Sequence, residues 1–433
     1  MFFSVVIHDL FCTFELSFNI RIKDNMMNRR SYFLTLLLLC AGMVSAQTTF
    51  EVEVTNPMGK NRTDVPVVIP IASEQSYTMA KVTADGVEIP SQLDDLNRDG
   101  HNDELCFVTD LKKKEKKVFQ VVLNSHDDPC YYQPRTFAEL MLRNPKVKVK
   151  NQQDIYLQEI SVTPDTQDPY HLVHHHGIAF ESELIAIRVY FDKRQTLDLY
   201  GKFQKRLELK ETQFYTLDEQ KAQGYGDDVL WVGNTFGLGA FRGWDGSKPT
   251  MIDDVLVRTQ RIVATGPVRT IVEIEDRGWR YQADEPRLNM TIRYTLYAGH
   301  RDVDVDVLFN KDMTGKLFST GLINVKDSKE FSDKDGLRGL WGTDFPAGAK
   351  DSIAHTRETV GMGIYIPKQI RVSEEPANKD NYAFVVKPTG NHLHYNLVYG
   401  SFNEQFGYHN DKEWFQFLKE WRKELEAPVV VKL

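Results

Sequence analysis

Arg301-Asp302-Val303-Asp304-Val305-Asp306-Val307-Leu308 is the stretch that decides the fold class. Successive side chains of an extended strand point to opposite faces, so this period of two puts three carboxylates on one side and the valines on the other. A helix would scatter both sets around its axis. The valine face belongs in a core. The aspartate face reads as a solvated strand face, with an acidic cleft wall as the alternative.

Outward from this stretch the same pattern repeats. Phe50 to Val54 alternates apolar and charged residues, and Val65 to Pro70 is an apolar run bounded by prolines. Segments 118–123, 184–191, 197–203, 255–263, 270–274 and 289–297 also read as strands. A hairpin through Asp192 to Thr196 joins two of them. Helix is scarce: a short one is expected over 136–143 and a longer one near residue 414. There Trp414, Phe417, Leu418, Trp421 and Leu425 form one apolar stripe, with Asn410 and Glu413 as a capping box and Pro428 as a stop. The fold class is therefore all-β: a small amino-terminal β-sandwich module over 47–130, then a large antiparallel β-supersandwich over 131–433, with one amphipathic helix near the C-terminus.

The chain of 433 residues has 41% hydrophobic and 26% charged residues, which excludes a disordered or fibrous protein. A net charge of -8 without a basic tract argues against nucleic acid as a partner. Residues 27–46, MNRRSYFLTLLLLCAGMVSA, carry two arginines, an apolar run too short to span a bilayer and a small-residue cleavage site. They read as a signal peptide, residues 1–26 as an over-called start, and the location as periplasmic or secreted, with no membrane span in the mature chain. The two cysteines left after cleavage, Cys106 and Cys130, either pair in an oxidising compartment or stand as buried thiols.

The loop from Asp95 to Glu104 places side-chain oxygens at Asp95, Asn97, Asp99 and Asp103, a glycine at Gly100 for the sharp turn, and a backbone carbonyl at His101. Hard oxygens at that spacing suit a structural Ca2+, although no glutamate stands at the twelfth position. A polar hairpin tip has the same composition. No organic cofactor is implied.

The densest chemistry lies in Tyr170-His171-Leu172-Val173-His174-His175-His176-Gly177 and the two strands after it. Read as a strand, Arg188, Tyr190 and Asp192 project together away from an aliphatic face. Three chemistries fit. In a uronide lyase, His175 or His176 removes a proton beside a carboxylate, Arg188 neutralises that carboxylate, and Tyr190 protonates the leaving oxygen. In a glycosidase, Glu181 and Glu183 are the carboxylate pair. In a zinc site, His174 and His176, on one face of a strand, are ligands with Glu181 third. Arg194 and Lys202 add substrate-binding charge. Trp231 and Trp244, in a glycine-rich stretch that lacks the Lys-Ser/Thr of a phosphate loop, offer stacking faces. His392 and His394 alternate on a late strand.

The stretches HHHG…FESELIAIRVYFDKR…LDLYGK (174–202), DDLNRDGHNDELCF (94–107) and GDDVLWVG (226–233), with the Trp-rich last helix, resemble a family of secreted bacterial proteins of unassigned function. Members come from polysaccharide-utilisation clusters, beside unsaturated-uronide and pectin enzymes. The resemblance implies a galactose-mutarotase-like sandwich whose concave face holds sugars, and it supplies no catalytic residues. Asn97 stands where that family often has Asp. Together these readings imply a carbohydrate-active protein that takes uronate-containing, pectin-type oligosaccharides by lyase-like or isomerising proton abstraction. A glycoside hydrolase and a non-catalytic sugar-binding protein are the alternatives.

Overall fold

The structure is a computed structural model and describes residues 47–71, 76–163, 169–346 and 356–433. The expected start and signal peptide, 1–46, lie outside the described residues. Residues 47–433 form one unit, and every pairing between its strands is antiparallel. No helix among the described residues is long and apolar enough to cross a membrane.

At the amino-terminal end, Gln47–Thr55, Lys116–Asn124, Met79–Ala84 and Val87–Ile89 form a sheet that Val430–Lys432 completes. A three-stranded sheet of Arg62–Pro70, Glu104–Leu111 and Ser91–Asp94 lies with it around a separate core of Val52, Val54, Val67, Phe107, Phe119 and Val121. The alternation read at 50–54 is the cause, since alternate side chains supply that core.

The larger body packs a nine-stranded sheet against two five-stranded sheets around one core. Asp302–Phe309 sits in the middle of the nine, between Leu288–Tyr297 and His392–Ser401. Val303, Val305 and Val307 are fully buried there, as the period of two requires. The aspartates differ from a solvated face. Asp302 accepts from the indole of Trp421 at 3.0 Å, Asp304 from the amide of Asn396 at 2.6 Å, and Asp306 holds His392 and His394 at 2.7 and 3.0 Å. They are half-buried and partnered.

The helix Asp411–Glu426 starts where the side chain of Asn410 accepts from the Glu413 amide at 3.0 Å. Its buried Trp414, Leu418 and Trp421 lie on the outer face of the nine-stranded sheet against Leu337, Tyr365 and Val398. Gly361 and Gly363 permit that approach: a Cβ at Gly361 would stand 2.6 Å from Trp414, and one at Gly363 2.5 Å from Leu418.

Several expectations are corrected. Residues 136–143 form strands Thr136–Glu139 and Met141–Leu142, because pairing with Gly177–Ser182 outweighs local helix propensity. His174–His176 is a single tight helical turn rather than a strand, preceded by a short helix at Pro169–Leu172. Cys106 and Cys130 are unpaired. Cys106 is sealed in a strand beside Arg269, where burial raises its thiol pKa to about 12, whereas Cys130 lies by Tyr132.

The two bodies meet across buried charge. Arg269 reaches Asp94 and Glu104, both at 2.7 Å, and Arg135 holds Asp64 at 2.7 Å together with Glu183. His300 joins the Asp302 carboxylate and the Asp64 carbonyl, both at 2.8 Å. Burial disfavours its charged form, but Asp302 outweighs this and raises the pKa to about 9. Trp414→Ala, which empties the fully buried contact under the helix, is expected to lower the unfolding free energy by about 3–5 kcal/mol; equilibrium denaturation with unchanged m-value checks it.

Candidate functional site

The strands Gly177–Ser182, Ala186–Tyr190 and Leu197–Gly201 are neighbours in one five-stranded sheet, and the last two form the expected hairpin with Arg188 opposite Asp198. Both faces of this sheet are covered, so Arg188 and Tyr190 do not project into solvent; they are 5% and 6% exposed. The guanidinium is met from three sides. Asp198 accepts from its Nε and Nη2 at 3.0 and 2.6 Å, Asp228 from Nη2 at 2.9 Å, and the Tyr190 hydroxyl donates to Asp198 at 2.7 Å. Burial raises the pKa of Asp228 well above the usual carboxylate range, and Asp198 adds to this.

The histidines divide. His175 turns inward, its Nε2 3.1 Å from Glu139 Oε1, and both side chains are fully enclosed. Burial pushes the pKa of Glu139 up and that of His175 down, disfavouring the charged form of each. All three histidines border a cavity of about 450 Å³, which the rings of His174 and His176 face from the other side of the turn. Nδ1–H of His176 donates to the Tyr170 carbonyl at 2.9 Å, which leaves Nε2 as the lone-pair nitrogen, and its ring stacks on Tyr170 at 3.9 Å. The backbone of Gln213 holds the ring of His174, while its Nε2 is buried without a partner. Burial lowers both pKa values to about 4, so at neutral pH both rings are uncharged bases.

Arg143, Lys148, Lys150 and Tyr215 complete the chemically active wall, and none of the residues around this cavity is acidic. A second cavity of about 470 Å³, walled in part by Phe214, Leu217 and Asp228, shares Lys150 and Tyr215 with the first. Non-glycine residues in the left-handed region stand on both sides of the shared wall: His175 and His176 at φ 38 and 69, Gln213 and Phe214 at φ 44 and 65. Such strain persists only where packing holds it, and it gathers at working sites.

The remaining expected site residues are placed elsewhere. Glu181 accepts from the Glu208 and Leu209 amides and from Lys202 at 2.5 Å, and Lys202 also donates to the carbonyls of Ser182 and Arg206. Both are fully buried, which takes them out of reach of a substrate and removes Glu181 as a zinc ligand or half of a glycosidase pair. Glu183 is held by Arg135 and the Gly299 amide. Arg194 is tied to Asp192 at 2.6 Å and lies over the rings of Tyr170 and Tyr190. Gly177 serves close packing rather than ligand approach: a Cβ there would stand 1.9 Å from the Val189 carbonyl. Trp231 is exposed and Trp244 half-buried, away from both cavities. His392 and His394 belong to the nine-stranded sheet. In the 95–104 loop the carboxylates turn to the loop's own amides: Asp95 accepts from Gly100 at 2.8 Å, Asp99 from His101 at 2.9 Å and Asp103 from Leu96 at 2.6 Å. Among the described residues no three His, Cys, Asp or Glu side chains are gathered to hold a metal ion.

Arg143, Lys148, Lys150 and Tyr215 are absent from the sequence reading. Lys146-Val147-Lys148-Val149-Lys150 alternates charge visibly and is the signal that points to the cations; nothing local marks Tyr215.

An all-β protein with a cationic, imidazole-lined cavity beside a buried Arg–carboxylate cluster is the class that fold and site define. The chain belongs to a family described as a domain of unknown function (DUF4861), whose model matches residues 54–431. No curated protein matches it. Among solved structures it is similar to a glycosyl hydrolase family 38 protein from Enterococcus faecalis, 10% identical with TM-score 0.43, covering 89% of this chain and 47% of that one. It is also similar to an alpha-mannosidase from the same organism, 10% identical with TM-score 0.44, covering 92% and 48%. The chain thus spans about half the length of these solved structures.

The histidine pKa values give a pH prediction with a definite sign. His174 is about 4 folded and ordinarily near 6.5 unfolded, so the unfolded chain binds the extra proton between them. Its stabilisation is full above pH 6.5 and falls away toward pH 4, by about 3 kcal/mol. His174→Gln is expected to flatten the melting temperature against pH over that window, relative to the parent protein.

Proposed function

We propose that this protein cleaves uronate-containing, pectin-type oligosaccharides by β-elimination in the periplasm or outside the cell. The observation that carries this is the 450 Å³ cavity, whose wall joins permanent cations and uncharged imidazoles with no carboxylate. Arg143, Lys148 and Lys150 supply the positive field that an acidic sugar requires, and that field stabilises the negative charge spreading into its carboxylate as the adjacent carbon loses a proton. The unpartnered Nε2 of His174 is the base, and binding a carboxylate beside it raises its affinity for the proton. A hydrolase needs two free carboxylates flanking the bond; the first cavity has none, and in the second Asp227 is paired with Lys221 and Asp228 with Arg188. The resemblance to secreted polysaccharide-utilisation proteins supports the same substrate class.

Mass spectrometry on a panel of uronide oligosaccharides is the test. Elimination conserves the summed mass and creates a conjugated, ultraviolet-absorbing end; gain of one water supports the hydrolase, and retention without cleavage a sugar-binding protein. His174→Ala is expected to lower kcat by about 100- to 10,000-fold. Lys148→Ala is expected to raise KM about tenfold or more by removing a charge-assisted contact. With the base near 4, kcat/KM should hold from pH 8 to about pH 5 and fall below that.

A structural Ca2+ on Asp95, Asn97, Asp99, Asp103 and the His101 carbonyl is a separable part of the proposal. Binding would require the carboxylates of Asp95, Asp99 and Asp103 to trade the loop's own amides for the ion. The measurement is the melting temperature in millimolar calcium against chelator, with an increase that Asp95→Asn abolishes as the expected result.

A further inference from the structure

Tyr215 stands where the two cavities share a wall, and it is ringed by the groups that set a phenol's chemistry. The ammonium of Lys150 is 5.1 Å from its ring centre, the ring of His174 5.4 Å and edge-on, and the guanidinium carbon of Arg188 6.0 Å. The side chain is half-buried and lines both cavities. Its backbone is held by a 2.8 Å bond from its amide to the Thr212 carbonyl, directly after two left-handed residues. Nη1 of Arg188 is buried without a partner, so the guanidinium keeps unspent donor capacity.

We infer that Tyr215 is the proton donor to the departing oxygen, with the acidic residue bound in the first cavity and the departing sugar in the second. This rests on the elimination reading above and adds to it both the acid and the minimum substrate, a disaccharide seated across Tyr215. Tyr190 is excluded from the role because its hydroxyl is committed to Asp198 and it does not line either cavity. The second cavity offers the departing sugar apolar surface at Phe214 and Leu217 and polar partners at Lys221, Asp227 and Asp228.

The step balances. Nε2 of His174 takes the proton from the carbon that bears the carboxylate, and the electron pair of that C–H bond becomes the new carbon–carbon double bond. The bond from the next carbon to the bridging oxygen breaks, its pair staying on oxygen. The Tyr215 hydroxyl, which burial holds above the usual phenol pKa while the charge of Arg188 opposes this, gives that oxygen its proton, and the resulting phenolate recovers a proton from the imidazolium through solvent. No oxidant or second reactant enters.

The test compares Tyr215→Phe with the parent on two substrates. One is a uronide disaccharide with an ordinary sugar alcohol as leaving group; the other carries an aryl group on the same oxygen, which departs without being protonated. Tyr215→Phe is expected to lose about 100- to 10,000-fold in kcat on the disaccharide, with KM changed less than about threefold, and to retain near-parental kcat on the aryl substrate. His174→Ala should lose on both. Equal loss of Tyr215→Phe on both substrates with an unchanged melting temperature, or no loss on either, overturns the assignment of Tyr215 while leaving the elimination in place. Absence of any unsaturated product from the parent protein overturns the elimination reading and this inference with it. If Tyr215→Phe fails to fold, the parent decides: a kcat that falls at high pH on the disaccharide but not on the aryl substrate supports the donor, and identical profiles refute it.

Discussion

Enclosing a guanidinium in a covered β-layer costs several kcal/mol unless carboxylates meet it there. Arg188 is met by Asp198 on the paired strand and by Asp228 beyond it, with Tyr190 closing the ring through Asp198. Because each partner comes from a different strand, this one cluster sets the relative position of Ala186–Tyr190, Leu197–Gly201 and Asp227–Asp228. The cation also lies 4.3 Å over the ring of Phe214. The segment that bears Tyr215 is therefore docked on the same charge. Breaking one partner of such a cluster leaves an uncompensated ion, so the arrangement is all-or-none rather than adjustable.

The histidine turn depends on that docking. His174 takes its backbone partner from Gln213, which precedes Phe214, so the base and the tyrosine are placed by one loop. His175 works as a fixed pin beneath them, its ring held against the carboxyl of Glu139, with Nδ1 and Oε2 left unsatisfied. Buried polar atoms without partners are costly, as are the four left-handed backbones nearby. The surrounding sandwich is rigid enough to hold both.

How much of this was legible in the residues follows from the range of the forces. The strand alternation at 302–309 and the apolar stripe at 414–425 are local patterns, and both elements form where their periods place them. The pairing of Arg188 with Asp198 also follows from the hairpin. The histidine run was misread as a strand because left-handed conformations at His175 and His176 are set by tertiary contact, which no local propensity encodes. Likewise Glu181 and Lys202 look like free chemistry in sequence; only the fold shows that each is the other's partner. Arg143 and Lys148 come from one segment and Tyr215 from another far along the chain, joined at one cavity by topology alone.

Val430–Lys432 lies beside Gln47–Thr55, with Glu53 opposite Lys432. These partners are separated by nearly the whole described chain, so during folding the first sheet keeps one border unzipped until the far strand arrives. An unpaired border of that kind recruits other chains. The interval before that strand docks, rather than the folded state, is thus when this molecule is most exposed to aggregation.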